Sequence, residues 1–220
     1  MERWATFDCY GTLVDWNGGI RSVLAELFPG EDAVVLLDAY HHHEPEIQAR
    51  GGIPYRQVMA EALRRVAREM GTTVPAGRED ALGESLPSWP VFPEVPTALA
   101  ELQRRGWRMA ILSNTDPDFL EASIQAIGVP VDLRVVASEI GSYKPALAHW
   151  QVFFDRSGAG RDGHVHVAAS LFHDIEPAVR LGLRTVWINR LLEGSDLWRD
   201  GELTDLAGLP DLLDRLVPAS

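Results

Sequence analysis

The sequence predicts an α/β fold: a Rossmann-like, doubly wound parallel sheet with a helical domain inserted after its first strand. Three observations predict it. From Pro96 to Leu216, helical and strand patterns alternate, which implies parallel strands covered on both faces. Residues 17–90 carry helical periodicity and little else. Before them, the β-compatible run Arg3-Trp4-Ala5-Thr6 leads into Phe7-Asp8-Cys9-Tyr10-Gly11-Thr12-Leu13. That places a carboxylate beside a glycine turn at a strand's carboxyl end, where open α/β sheets carry their chemistry.

The elements follow in order. Ile20, Val23, Leu24 and Leu27 repeat at helical spacing until Phe28-Pro29-Gly30 stops them. A second helix is expected from Asp32 to Gln48, with Val34, Leu37 and Ala39-Tyr40 on its apolar side. Gly51-Gly52 breaks it, and Pro54 opens a third containing Val58, Met59, Ala62, Leu63, Val66 and Met70. A weaker fourth spans roughly residues 77–86, and the Pro-rich run 87–93 marks the return to the sheet. Thereafter helices are expected at 96–105, 118–127, 145–156, 175–181 and 206–216. Strands are expected at 107–112, 133–137, 164–168 and 185–188.

A 220-residue chain that is 46% hydrophobic and 24% charged has the composition of a soluble globular protein. The net charge of −12 argues against nucleic acid or an anionic membrane surface as the main partner, while a small anion remains compatible. Cys9 is the single cysteine, so no internal disulfide forms. It should point away from Asp8 and be packed. No apolar signal core or spanning run is present, and a cytoplasmic location is expected. His41, His42 and His43 are consecutive on a helix and diverge by about 100° each, so they do not converge on one ion. His164 and His166 share a strand face without an evident third ligand, and no metal site is expected.

Four strand ends carry polar groups. They are Asp8, Tyr10 and Thr12; Ser113-Asn114-Thr115-Asp116; Lys144, expected at a helix start; and Ser170 with Asp174. Singly, each has a plain reading as a turn, a helix cap or a solvated lysine. Together they bring carboxylate, hydroxyl and amide, amine, and carboxylate to one sheet edge.

In that order, Asp8-Cys9-Tyr10-Gly11-Thr12-Leu13, Ile111-Leu112-Ser113-Asn114, Tyr143-Lys144-Pro145 and Val186-Trp187-Ile188-Asn189-Arg190 resemble the haloacid dehalogenase superfamily of hydrolases. The resemblance implies a core of residues 1–15 and 91–220 with a cap domain of residues 16–90, and Asp8 as nucleophile. Pairing of two copies through cap helices would fit as well.

Most of that superfamily are magnesium-dependent phosphatases with a second Asp two residues after the nucleophile and a Gly-Asp in the fourth motif. Here those places hold Tyr10 and Ala168-Ala169. Tyrosine, with an ordinary pKa near 10, is a poor acid for an ester oxygen, and two methyls offer magnesium no ligand. A weak ion between Asp8 and Asp174 belongs only to the phosphatase alternative. A non-catalytic binding relative and a hydrolase of another activated C–X bond are further alternatives.

The Asp-x-Tyr-Gly-Thr-Leu form is similar to the L-2-haloacid dehalogenases, which use no metal. The resemblance implies a hydrolase in which Asp8 displaces halide and forms an aspartyl ester, Lys144 orients Asp8, and Asp174 handles the hydrolytic water. Ser113 and Thr12 would hold the carboxylate of a small anionic substrate. Tyr10, Trp150, Asn114 and Ser170 would surround the substrate. His41 stands where those enzymes carry a halide-binding Arg, with Arg50 as another candidate to reach in.

Overall fold

The computed structural model describes residues 2–219. Strand β1 (Arg3–Phe7) is buried along its whole length, as a strand covered on both faces must be. Four helices follow: α1 (Trp16–Leu27), α2 (Ala33–Gln48), α3 (Tyr55–Glu69) and the short α4 (Ala81–Ser85). Asp15 caps α1 by accepting from Gly18 N at 2.9 Å, and Asp32 caps α2 through Val34 N. The amphipathic pattern of α3 holds: Val58, Met59, Ala62, Leu63 and Val66 are all buried. Two expectations change. Val34 lies on the outer side of α2, 57% exposed, because Leu36, Leu37 and Tyr40 take the inner face. The fourth helix is shorter than 77–86 and passes into a 3₁₀ turn at Leu86–Ser88, where Pro87 interrupts it.

The chain enters and leaves this helical block side by side. Val14 bridges Val91 antiparallel, Asp15 N donates to Pro90 O and Phe92 N donates to Leu13 O. Gly19 on α1 packs against Trp89, and a Cβ there would meet the indole at 2.3 Å, so only glycine permits the approach.

Beyond the block come α5 (Val95–Arg104), β2 (Trp107–Ser113), α6 (Pro117–Ile127), β3 (Leu133–Val136), α7 (Ala137–Ile140) and α8 (Ala148–Ser157). Then follow β4 (His164–Ala168), α9 (Glu176–Arg180), β5 (Arg184–Ile188), β6 (Gly201–Leu203) and α10 (Leu209–Leu216). All strand pairs are parallel, in the order β3-β2-β1-β4-β5-β6. That order reverses direction between β1 and β4, which opens a crevice at their carboxyl ends. One sheet face, carrying Phe7, Met109, Ile111, Val165 and Val167, joins a core cluster that continues into the helical block. The other buries Trp4, Ala110, Leu112 and Val135 under Trp150 and Phe153 of α8.

Several elements differ from the sequence reading, among them α7, a short helix that begins at Ala137 where the strand is expected to continue. β6 is an additional edge strand, and the last helix starts at Leu209 behind a turn. The helix expected at 145–156 begins only at Ala148, so Lys144 sits in the preceding loop and not at a helix N-terminus.

Candidate active site

Asp8 leaves β1 with its backbone still in the sheet, its N–H donating to Val167 O at 3.1 Å. The chain then turns tightly. Leu13 N donates to Cys9 O, and Gly11 takes φ +88°, a conformation that suits a residue without Cβ. The turn sends Thr12 back toward the strand end, where its hydroxyl donates to Asp8 Oδ2 at 2.9 Å and accepts from Ala169 N at 2.9 Å. Cys9 points the other way and is buried, its thiol pushed up by burial first and the Asp8 charge second.

Lys144 is the hub. Its ammonium, 1% exposed, donates to Asp8 Oδ1 at 2.8 Å, Asp174 Oδ1 at 2.7 Å and Leu112 O at 2.7 Å. Three donors meet three acceptors in fixed directions. Burial alone would lower the lysine's pKa, but the carboxylates of Asp174 and Asp8 outweigh it and hold the amine charged. Burial likewise opposes ionisation of Asp174, and Lys144 with His166 overcomes it, holding that carboxyl at about 2. Asp8 is pushed upward by burial, against the pull of Lys144 and Thr12. One ammonium shared by two carboxylates leaves the cluster anionic when both are ionised.

Asn114 braces this lysine. Its Oδ1 accepts from Lys144 N at 2.7 Å, and its Nδ2 donates to Lys144 O at 3.0 Å and to Gln48 Oε1 at 3.1 Å on α2. Gln48 in turn donates to Glu44 Oε1 at 2.6 Å, which ties the lysine loop to the helical block. Neither Gln48 nor Glu44 carried a signal in the sequence. Both look like ordinary polar residues near a helix end, yet both are buried. Arg190, recognised only as part of a motif, also holds the site: it donates to Thr12 O and pairs with Glu94, over the face of Phe92.

Several side chains expected to touch substrate are engaged otherwise. The single hydroxyl proton of Thr12 goes to Asp8, so Thr12 orients the carboxylate and has none left for a substrate oxygen. Asn114 is spent on Lys144 and Gln48. Ser170 caps the π-helical turn Leu171–Ile175 that carries Asp174, its oxygen accepting from His173 N at 3.0 Å and its hydroxyl facing His173 Nδ1 at 3.1 Å. Trp150 is fully buried in the α8 core, with its edge against His166, and does not line a pocket. His41 stacks on Trp16 at 5.0 Å and pairs with Asn17 Oδ1 at 2.9 Å, and burial holds its pKa below the usual range in spite of Asp38 and Glu193. A neutral ring there is no replacement for an arginine. Arg50 is paired with Glu61 on the outside of the block and does not reach in. Two expectations remain. Ser113 is fully buried, and its hydroxyl has no partner among the described residues. Tyr10 lies in the crevice, its hydroxyl bonded to Ser123 Oγ at 3.1 Å and its ring edge-on to Trp89.

The donor set does not suit magnesium. An ammonium already sits between the two carboxylates that would have to bind the ion, and Ala168 and Ala169 end the adjoining strand with methyl groups. No group of three or more His, Cys, Asp or Glu side chains converges among the described residues.

A carboxylate, a lysine and a second carboxylate thus meet at the switch point of a 3-2-1-4-5-6 sheet, and a family profile described as haloacid dehalogenase-like hydrolase matches residues 3–167. The chain belongs to the haloacid dehalogenase-like hydrolases. Its likeness to one member, an (S)-2-haloacid dehalogenase of Pseudomonas sp. (strain YL), is 28% identity over 94% of this chain and 93% of that one. A phosphoserine phosphatase of Thermus thermophilus is also 28% identical, but over only 65% of this chain and 58% of its own length. Among solved structures, an L-2-haloacid dehalogenase superposes with a TM-score of 0.87 at 23% identity, covering 97% and 99% of the two chains, which establishes the shared fold. None of the helices of this family member is long and apolar enough to cross a membrane, among the described residues.

Proposed function

We propose that the chain is a metal-independent 2-haloacid dehalogenase that works through an ester on Asp8. The observation that carries this reading is the buried Lys144 ammonium between Asp8 and Asp174, beside a strand end that lacks the carboxylate a magnesium phosphatase needs. Similarity over nearly the full chain to (S)-2-haloacid dehalogenases supports it.

An Asp8 oxygen attacks C2 of the substrate from the side opposite the halogen. The O–C bond forms as the C–X bond breaks, and the electron pair departs with halide. A halide is stable as an anion, so no acid is required where Tyr10 replaces the phosphatases' Asp. Burial, the largest effect on it, pushes the Tyr10 hydroxyl well above its ordinary range and makes it a still poorer acid. Lys144 offsets the repulsion between the nucleophile and an anionic substrate. Water then attacks the ester carbonyl, with Asp174 taking its proton, and the 2-hydroxy acid leaves.

Residues 16–90 form the cap over this site and residues 1–15 and 91–220 the core, with the paired crossings at Val14 and Val91 as the hinge. A cytoplasmic location and a homodimer belong to the same proposal.

The test is halide release from (S)-2-chloropropionate in the presence of a chelator, beside a panel of phosphate monoesters with magnesium. Halide release that survives chelation and vanishes in Asp8→Asn is expected. Phosphate release that depends on magnesium, without halide release, would replace this reading with the phosphatase.

A further inference from the structure

The proposed reaction leaves unexplained a row of buried polar side chains beneath the site. The face of β1 and β4 that carries Asp8 also carries Thr6, His164 and His166, all fully buried. By composition these strand positions should be apolar, as the neighbouring Val165 and Val167 are. Buried polar groups cost stability unless they are hydrogen-bonded, and these are bonded in series. Thr6 Oγ1 lies 2.8 Å from His164 Nε2 and 2.8 Å from His166 Nδ1, and His166 Nε2 lies 3.0 Å from Asp174 Oδ1.

One proton assignment of neutral rings satisfies the series. Thr6 has a single hydroxyl proton. If His166 carries its proton on Nε2, it donates to Asp174, and its bare Nδ1 accepts from Thr6. Thr6 in turn accepts from His164 Nε2–H. The reverse tautomer of His166 would set a bare nitrogen against the Asp174 carboxylate. Burial, the largest effect, holds the His164 pKa at about 3, so that ring is neutral, and its Nδ1 ends the series without a partner. The edge of His166 against Trp150, with ring centroids 5.2 Å apart, fixes its plane.

We infer that His166, set by Thr6, is a positioning residue for Asp174 in the second half of the reaction. This rests on the ester route proposed above. Asp174 Oδ1 is saturated by Lys144 and His166, whereas Oδ2 has no hydrogen-bond partner among the described residues. Holding one oxygen in two directions aims the other. When water attacks Cγ of the Asp8 ester, its proton passes to Asp174 Oδ2. The tetrahedral intermediate then expels the alkoxide, which takes that proton back and leaves as a hydroxy acid, while the water's other proton stays on the Asp8 carboxyl and is released to solvent to restore the nucleophile. Displacement of halide by Asp8 involves none of these transfers. His166 therefore bears on ester hydrolysis and not on ester formation.

Full-length wild type, His166→Phe, His166→Gln and Thr6→Val are compared by rapid quench with (S)-2-chloropropionate, following the halide burst and the mass of the Asp8 peptide. In His166→Phe and Thr6→Val the burst rate should stay within about 3-fold while turnover falls about 10- to 100-fold, the loss expected from a slightly misaimed base. The 1-carboxyethyl ester on Asp8 should accumulate. The amide nitrogen of Gln overlays Nε2, so His166→Gln should recover most of the turnover. Equal slowing of burst and turnover, or unchanged turnover in both His166→Phe and Thr6→Val, overturns the inference. Should His166→Phe fail to fold, Thr6→Val decides. Absence of halide release from wild type would overturn the dehalogenase reading itself. The inference then answers to nitrogen-15 NMR of the imidazoles, where a proton on His166 Nε2 is expected and a ring protonated on Nδ1 alone refutes it.

Discussion

Replacing Lys144 with Met keeps the length of the side chain and removes its charge, which isolates what the ammonium does. Two buried carboxylates and the Leu112 carbonyl lose their shared donor at once. Breaking a buried ion pair by removing one partner costs about 3–5 kcal/mol, because the other charge stays desolvated. A loss of that size is expected in urea denaturation at about pH 8, followed through the fluorescence of the seven tryptophans. Acidification lets the stranded carboxyls protonate, so the deficit should shrink to about 1–2 kcal/mol near pH 5. Adding Asp8→Asn to Lys144→Met removes one stranded charge and should recover at least about 1 kcal/mol at the higher pH, a coupling expected of groups in contact. A deficit below about 1 kcal/mol at pH 8, or one that does not change with pH, refutes the view that this lysine neutralises two buried carboxylates.

Two further predictions concern pH. Burial is the largest effect on Glu44 and raises its pKa from 4.5 to about 7, so its contribution to stability is complete below the unfolded value and is lost as pH rises through 7. Glu44→Gln should therefore stabilise the protein by up to about 3 kcal/mol at pH 8 and scarcely alter it near pH 5; equal effects at both pH values would contradict this. His149, His164 and His173 run the opposite way. Burial depresses them from 6.5 to about 3, 3 and 4, so their contribution is present above 6.5 and drains away as pH falls. Each loses about 1.4 kcal/mol per pH unit below 6.5 while Glu44 regains a similar amount, so denaturation midpoints should fall with a net slope of about two groups between pH 6.5 and 4.5. A flat profile there would show that the three rings are not buried neutral.

The parts of the molecule visible in the sequence are those with a repeating physical cause. β4 is legible at residues 164–168, because a strand buried on both faces in a parallel sheet reads as one short run between turns. The long helix α3 is legible from its apolar stripe and Pro54. β6 is three residues, Gly201-Glu202-Leu203, and too short to show a period. In the site, Asp8, Lys144 and Asp174 could be found because each follows a strand end, and the structure brings all three together.

The sequence does not reveal where each donor's proton is already committed. Thr12, Asn114 and Ser170 are chemically fit to bind substrate, and only their hydrogen bonds show them occupied elsewhere. His164 and His166 were visible as neighbours on one strand face, but the Thr6 that joins them lies 158 and 160 residues away. Trp150 follows Lys144 closely in sequence, yet α8 begins only at Ala148 and turns the indole under the sheet.

The central claim, an ester on Asp8, is tested most directly by oxygen-18 labelling. A single turnover of a 2-haloacid with excess enzyme in labelled water should place the label in the Asp8 carboxylate, because water attacks the ester carbonyl and the product's hydroxyl oxygen comes from the aspartate. The first product should be unlabelled, and later products should carry label drawn from Asp8. Label in the first product with Asp8 left unlabelled would mean that water attacks the substrate carbon directly, and the account of this site would be wrong.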